Sequence, residues 1–71
     1  MTLKNATEGR EYTIEKIETD SDELDAFLFS LGCYSGEKIT VISHIKGGCI
    51  VAIKDSRYDV DLQLADVITV Y

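Results

Sequence analysis

The 71-residue sequence contains no proline and no tryptophan, and it has one histidine and two cysteines. A single histidine leaves few ways to build a catalytic triad or a histidine-rich metal site. Cys33 and Cys49 are isolated from each other and form no C-x-x-C pair. They therefore predict two small buried apolar side chains, not a disulfide or a zinc site.

The sequence also lacks a long apolar run and an excess of positive charge. No stretch approaches the ~20 apolar residues of a membrane span, and the opening residues 1–5 lack the apolar core of a signal peptide. Seven basic and thirteen acidic residues give a net charge of −6, which repels nucleic acids and anionic lipid surfaces. We expect a cytoplasmic protein that binds neither nucleic acid nor membrane.

The length and composition favour one small globular domain over residues 1–71. Hydrophobic residues make up 45% and charged residues 28% of the chain, a balance typical of a folded soluble domain. A chain this short forms a single small core and no deep cleft.

The helix signal lies between residues 21 and 31. Apolar residues recur there at i, i+3, i+4 and i+7, which predicts one buried stripe: Leu24, Phe27, Leu28 and Leu31. Asp20 is the expected N-cap, with Glu23 at the capping-box spacing. Gly32 fits the left-handed residue after the helix, and Cys33 the apolar contact beyond it.

Five short strands surround this helix in the sequence. Strand 12–17 shifts its apolar phase between Ile14 and Ile17, which indicates a bulge. Strands 38–45 and 49–54 form a hairpin, and strand 58–60, a helical turn 62–66 and strand 67–71 follow. The predicted fold is mainly β: a small SH3-like barrel of about five strands with one inserted helix, because closure protects strand edges. Leu3 and Ala6 are expected to anchor the segment before it.

The register of the hairpin depends on its turn. A two-residue Gly47-Gly48 turn would mix polar and apolar residues on both faces. We therefore expect a three-residue turn over residues 46–48, which pairs Val41 with Ile53 and Ser43 with Val51. In this register four residues form the second face of the hairpin: Ile42, His44, Ile50 and Ala52. This face has to be covered by the helix or by another molecule.

Few residues point to chemistry. A Cys33–His44 pair has no third orienting group, and the acidic residues around position 20 are explained by helix capping and solvation. Asp59 and Asp61 lie on one side of a strand, but a hard cation would need more oxygen ligands. The sequence predicts no enzyme and no cofactor, and weak or regulatory binding of a divalent metal ion is left as an alternative.

The order and spacing of these motifs over the whole chain resemble those of the ferrous iron transport protein A (FeoA) family. The resemblance is carried by segment 28–42, L-F-S-L-G-C-Y-S-G-E-K-I-T-V-I, and by the apolar and small positions of segment 49–70. It implies an SH3-like domain without catalytic residues. This sequence differs from many members of the family in lacking a basic helix and in having Ser35 where proline is usual.

The resemblance also implies a partner, the cytoplasmic GTPase region of the membrane ferrous iron transporter FeoB. We expect the contact surface to combine the helix end with the hairpin: Phe29, Leu31, Cys33, Tyr34, Ile42, His44 and Ile50. The alternative is a metal-sensing or dimerisation module like the SH3-like domain that ends iron-dependent repressors. Because the chain starts at Met1 and has no helix-turn-helix half, we favour the free-standing form. Pairing of the last strand between copies would give a homo-oligomer.

Overall fold

The computed structural model of the protein describes all 71 residues. Its elements, in chain order, are a 3-10 turn Leu3–Asn5, β1 Glu11–Ile17, α1 Asp22–Ser30, β2 Lys38–Ile45, β3 Gly48–Ile53, β4 Ser56–Asp61, α2 Leu62–Val67 and β5 Ile68–Val70. The strands form one antiparallel sheet in the order β4-β3-β2-β1-β5. The expectation of a mainly β fold with one helix inserted after the first strand is confirmed. Neither helix is long and apolar enough to cross a membrane.

The inner face of the sheet holds a single apolar core. The apolar residues expected to point inward from the hairpin and from the last strand are buried, among them Val41, Val51, Ile68 and Val70. Ser43, which the predicted register placed with them, is half-buried opposite Ile50. Leu3 and Ala6 are buried in the same cluster, so their predicted anchoring role is confirmed. Both cysteines are free and buried, as expected.

The bulge predicted in β1 is present. Ile14 pairs with Val70 and Lys16 with Thr69, so the register of β1 against β5 shifts between Ile14 and Lys16. The extra residue bends the strand, and it lets both Ile14 and Ile17 pack on the core side.

The predicted register of the β2–β3 hairpin is wrong. The turn has two residues, Lys46-Gly47, with Ile45 opposite Gly48, and Val41 pairs with Val51 instead of Ile53. A second irregularity lies between Val41 and Ser43, and it restores the apolar phase that a two-residue turn would otherwise lose. The alternation of polar and apolar residues predicts the register of a regular hairpin only. A bulge inside a strand has no strong sequence signature of its own.

The N-cap of helix α1 lies one residue later than expected. The Ser21 side chain, not that of Asp20, accepts a hydrogen bond from the Leu24 backbone N–H at 3.1 Å. At the other end Gly32 has φ of 87°, and the Cys33 N–H donates to the Leu28 carbonyl at 2.9 Å. This is the predicted Schellman ending.

The predicted inward stripe of α1 is only partly correct. Leu28 is buried, and Leu24 packs against the core from a half-buried position. Phe27, however, is 56% exposed. The helix contacts the core through the Leu28 side, and Phe27 lies at the rim of that contact, so the segment around Phe27 does not fill the barrel.

The two end strands of the sheet differ in their outer edges. The segment before the first turn covers the outer edge of β5, where the Val70 N–H donates to the Met1 carbonyl at 2.8 Å and Thr2 bridges Thr69. The outer edge of β5 is therefore not free for the expected pairing between copies of the chain. Strand β4 pairs only with β3.

Candidate partner-binding surfaces

The C-terminal end of α1 presents an exposed aromatic pair. Phe29 is 65% exposed, and its ring centroid lies 4.8 Å from that of Tyr34 at an interplanar angle of 32°. Leu31, expected on the same surface, is half-buried and lines a different cavity together with Phe27. We call Phe29 and Tyr34 the aromatic patch. Large aromatic side chains of this kind are common anchors in protein interfaces.

The segment that carries Tyr34 is fixed to the first strand. The Gly36 N–H donates to the Ile14 carbonyl at 2.8 Å, and the Ile14 N–H donates to the Glu37 carbonyl at 2.8 Å. The Ser35 hydroxyl donates to the Glu15 carbonyl at 2.8 Å. A surface held by backbone bonds loses little conformational entropy on binding.

A charged pair, Lys54 and Glu37, influences the Tyr34 hydroxyl. The Lys54 ammonium donates to the Glu37 carboxylate at 3.1 Å. Hydrogen bonds from Tyr34 and Lys54 lower the pKa of Glu37, and the same Glu37 carboxylate raises the pKa of the Tyr34 hydroxyl.

A shallow depression of about 340 Å³ adjoins the aromatic patch. Phe29 and Tyr34 form part of its wall, and Lys16 and Asp25 bring one charge of each sign to its edge. An apolar anchor with a polar edge is the usual composition of a protein interface.

Cys33, which the sequence analysis included in the expected contact surface, lies beneath that surface. It is only 2% exposed, and burial raises the pKa of its thiol to about 11. Burial also raises the pKa of the Cys49 thiol. Thiols held protonated are poor nucleophiles and poor metal ligands, so no chemical role is indicated for Cys33. Its role is to pack beneath the aromatic patch.

The hairpin residues of the expected surface lie elsewhere. Ile42, 37% exposed, and half-buried Ile50 belong to the outer face of the β2–β3 hairpin, whereas α1 packs on the inner face with Val51 and Ile39. The structure thus brings Phe29 and Tyr34 together and separates them from Ile42 and Ile50.

The regular register predicts His44 on that outer face, but the structure places it elsewhere. The bulge places it opposite Cys49, and its ring Nε2 donates to the Ala6 carbonyl at 2.7 Å. Its backbone N–H donates to the Glu8 carboxylate at 2.6 Å. His44 therefore fastens the segment before β1 to the hairpin.

An apolar cavity of about 120 Å³, which the sequence does not indicate, lies between α1 and the sheet. Eleven of its twelve lining residues are hydrophobic. Phe27 and Asp59 are the two exposed residues of the lining, so they mark its mouth. The exposed position of Phe27 opens this cavity, and no local sequence signal reports it.

The acidic residues considered for metal binding do not converge. No group of three or more histidine, cysteine, aspartate or glutamate side chains is arranged to hold a metal ion. Asp61 instead caps α2, where its carboxylate accepts from the Leu64 N–H at 2.8 Å. Asp59 lies two residues earlier on β4.

Comparison with known proteins identifies relatives of this architecture. The family model described as the FeoA domain matches residues 1–71. The solution structure of iron(II) transport protein A from Clostridium thermocellum is 25% identical, with a TM-score of 0.88 over 99% of this chain. The chain spans 44% of the length of that protein.

Two further solved structures share the fold. Stenotrophomonas maltophilia FeoA complexed with zinc, described as an SH3 domain protein, is 18% identical with a TM-score of 0.85, covering 100% of this chain and 89% of its own. A manganese-dependent transcriptional repressor in complex with manganese is 20% identical with a TM-score of 0.88, covering 100% of this chain and 35% of its own. These likenesses confirm the SH3-like fold. No curated protein matches the chain.

Proposed function

Because this chain belongs to the FeoA domain family, whose SH3-like members are associated with ferrous iron transport, we propose that it is a non-enzymatic accessory protein of ferrous iron uptake. In this role it binds the cytoplasmic GTPase region of the transporter FeoB and regulates it from the cytoplasm. The Stenotrophomonas relative is described as a possible ferrous iron transport activating factor, which supports a regulatory role.

The observation that carries the proposal is the exposure of Phe29. A phenylalanine that is 65% exposed, stacked on Tyr34 and held beside a depression, stabilises an isolated domain little. Burying it against a partner removes its apolar surface from water, at about 25 cal/mol per Å². The aromatic patch is therefore the proposed primary contact with the transporter.

The outer face of the hairpin is the second part of the proposed surface. Ile42 and Ile50 expose apolar area there, but the sheet separates them from the aromatic patch. A partner that contacts both has to wrap around the edge of the domain. In this proposal His44 and Cys33 act indirectly, by holding the segments that carry the contacts.

The test is binding of the purified chain to the purified cytoplasmic domain of FeoB from the same organism, measured by calorimetry. We expect Phe29→Asp to weaken binding at least tenfold, since a charged residue cannot replace a buried ring. Leu62→Asp is the matched control, because Leu62 is 47% exposed and begins α2, where a negative charge is tolerated. Phe29→Ala separates loss of the ring from introduction of charge.

Equal affinity for the wild type and for Phe29→Asp, with both folded by circular dichroism, would remove the aromatic patch from the proposal. No binding of the wild type in any nucleotide state of the transporter domain would remove the partner itself.

The second candidate function is that of a metal-responsive module, like the repressor that shares the fold. Zinc in the Stenotrophomonas structure makes weak Fe²⁺ or Zn²⁺ binding the version to test. Asp61 and His44 are engaged in bonds within the chain, so exposed Asp59 is the first ligand to test. Calorimetric titration with Fe²⁺ or Zn²⁺ distinguishes the two functions. Stoichiometric binding that Asp59→Asn abolishes would favour the metal-responsive module.

A further inference from the structure

Strand β4 has an outer edge whose backbone groups make no hydrogen bonds within the chain. It pairs with β3 from Ser56 to Asp61, and none of the backbone hydrogen bonds made outside the ladders involves these residues. Half of the N–H and C=O groups of such an end strand point away from the sheet. This edge can therefore accept another strand, which is a common way of binding an extended segment.

The apolar cavity opens beside this edge. Tyr58, Asp59 and Val60 of β4 line it from one side. Phe27 of α1 and Leu31, the residue that follows α1, line it from the other. Its volume of about 120 Å³ is slightly smaller than the cavity of about 150 Å³ that accommodates benzene in another protein. One branched aliphatic or aromatic side chain is thus the largest apolar group it admits.

The charges around the edge indicate which polar residues a bound segment would carry. Asp59 is the only polar residue that lines the cavity, and Asp61 follows it along the strand. Beyond Asp61, a neighbouring depression is lined by Glu18 and Asp20. Arg57 is the one cation on β4, so the edge is acidic and attracts lysine or arginine.

A second copy of the chain fits this edge poorly. Each copy has a net charge of −6, so pairing β4 with β4 would bring two acidic surfaces together. Like charges opposite each other across a strand pair are destabilising. A basic partner avoids this repulsion.

From the open edge, the cavity and the charge together we infer that β4 is a docking site for an extended, basic segment of another protein, which adds as a sixth strand and places one apolar side chain in the cavity. Lysine or arginine residues on both sides of that apolar residue contact Asp59 and Asp61. This site is separate from the aromatic patch and does not depend on which protein the patch binds.

The test begins with selection of short random peptides displayed on phage against the immobilised full chain. We expect the enriched peptides to share one apolar residue with lysine or arginine on both sides. A synthetic copy of an enriched peptide is then titrated into ¹⁵N-labelled protein. The amide signals of β4 and of Phe27 should shift, and those around Tyr34 should not.

Two matched comparisons separate strand pairing from general attraction. The same peptide with N-methyl groups on alternate backbone amides keeps its side chains but loses donors, and we expect at least tenfold weaker binding. Asp59→Lys should weaken binding roughly tenfold, whereas Asp66→Lys, an equal charge change on an exposed residue of α2, should have less effect.

Three results would overturn the inference. They are a selection without enriched sequences, shifts confined to the aromatic patch or to the outer face of the hairpin, and unchanged affinity of the N-methylated peptide. A concentration-dependent dimer in sedimentation, together with protection of the β4 amides from hydrogen exchange, would assign the edge to a second copy instead.

Discussion

At the scale of single residues, two adjacent glycines at the β2–β3 turn are required for different reasons. Gly47 has φ of 85°, and a Cβ there would meet nothing within 4 Å. A Cβ on Gly48 would lie 2.0 Å from the Val60 carbonyl oxygen. The first glycine is needed for backbone conformation, and the second for the close approach of β4.

We expect Gly48→Ala to lower the free energy of unfolding by about 2–3 kcal/mol, because rigid backbone has to move to admit the methyl group. Gly47→Ala should cost roughly 1 kcal/mol through left-handed strain, and Gly47→Asn less, since asparagine tolerates that conformation. Urea unfolding measures all three. An equal cost for Gly47→Ala and Gly48→Ala would contradict the steric argument.

The buried thiol of Cys33 makes stability depend on pH in the alkaline range. Its pKa rises from the ordinary value of 9.0 to about 11 because burial disfavours the thiolate. The unfolded chain releases this proton at lower pH, so the folded state holds more protons between these values. The stabilising contribution is full below pH 9 and is lost as the pH rises towards about 11.

We therefore expect the urea midpoint of the wild type to fall between neutral pH and about pH 10, and the fall to be smaller in Cys33→Ala. Cys33→Ala has a lower midpoint at neutral pH, because it leaves a cavity, but a flatter pH dependence. Lysine and tyrosine titrations are common to both proteins and cancel in the comparison. Parallel curves for the two proteins would show that the thiol does not titrate in this window.

At the scale of elements, α1 is held chiefly by its two ends. Ser21 caps the first turn, and the Schellman bonds through Gly32 and Cys33 close the last one. Between these ends only Leu28 is buried. Asp22, Glu23 and Asp25 in the first turn interact favourably with the helix dipole.

We expect Ser21→Ala to lower the free energy of unfolding by about 1 kcal/mol, the usual cost of losing an N-cap. Asp20→Ala is the matched control, because the structure gives its side chain no capping bond, and it should change stability little. Amide hydrogen exchange should show the Ser21→Ala effect first at Leu24, whose N–H loses its partner. A larger effect for Asp20→Ala would restore the cap that the sequence suggested.

At the scale of the whole molecule, the segment before β1 completes the core and closes one side of the sheet. Leu3 is fully buried, α2 packs against its turn, and Met1 and Thr2 pair with β5. The barrel therefore depends on residues that contribute no strand of their own. The uncovered edge is left at β4, at the other end of the sheet.

We expect Leu3→Ala to cost about 2–5 kcal/mol. A domain of this size has a total stability of only about 4–11 kcal/mol, so the variant should be partly unfolded in mild urea. Leu62→Ala, which truncates a leucine that is 47% exposed, should cost far less. Equal urea midpoints for the two variants would show that the leading segment is not part of the cooperative fold.

The local elements and the family can be read from the amino-acid sequence. The helix around Leu28, the bulge in β1, the glycine ending at Gly32 and the burial of both cysteines each follow from local periodicity or side-chain chemistry, and the structure confirms them. These features depend on neighbours a few residues away, which a sequence pattern records directly. The same periodicity wrongly placed Phe27 in the buried stripe.

Only the tertiary structure decided which surfaces remain open. The two-residue turn and the bulge at Ile42 set the hairpin register, and that register turned His44 towards Ala6 and left Ile42 outside. The exposure of Phe27 and Phe29, the cavity beneath α1 and the free edge of β4 depend on how distant segments pack. Because those contacts join residues far apart in the chain, no local pattern specifies them.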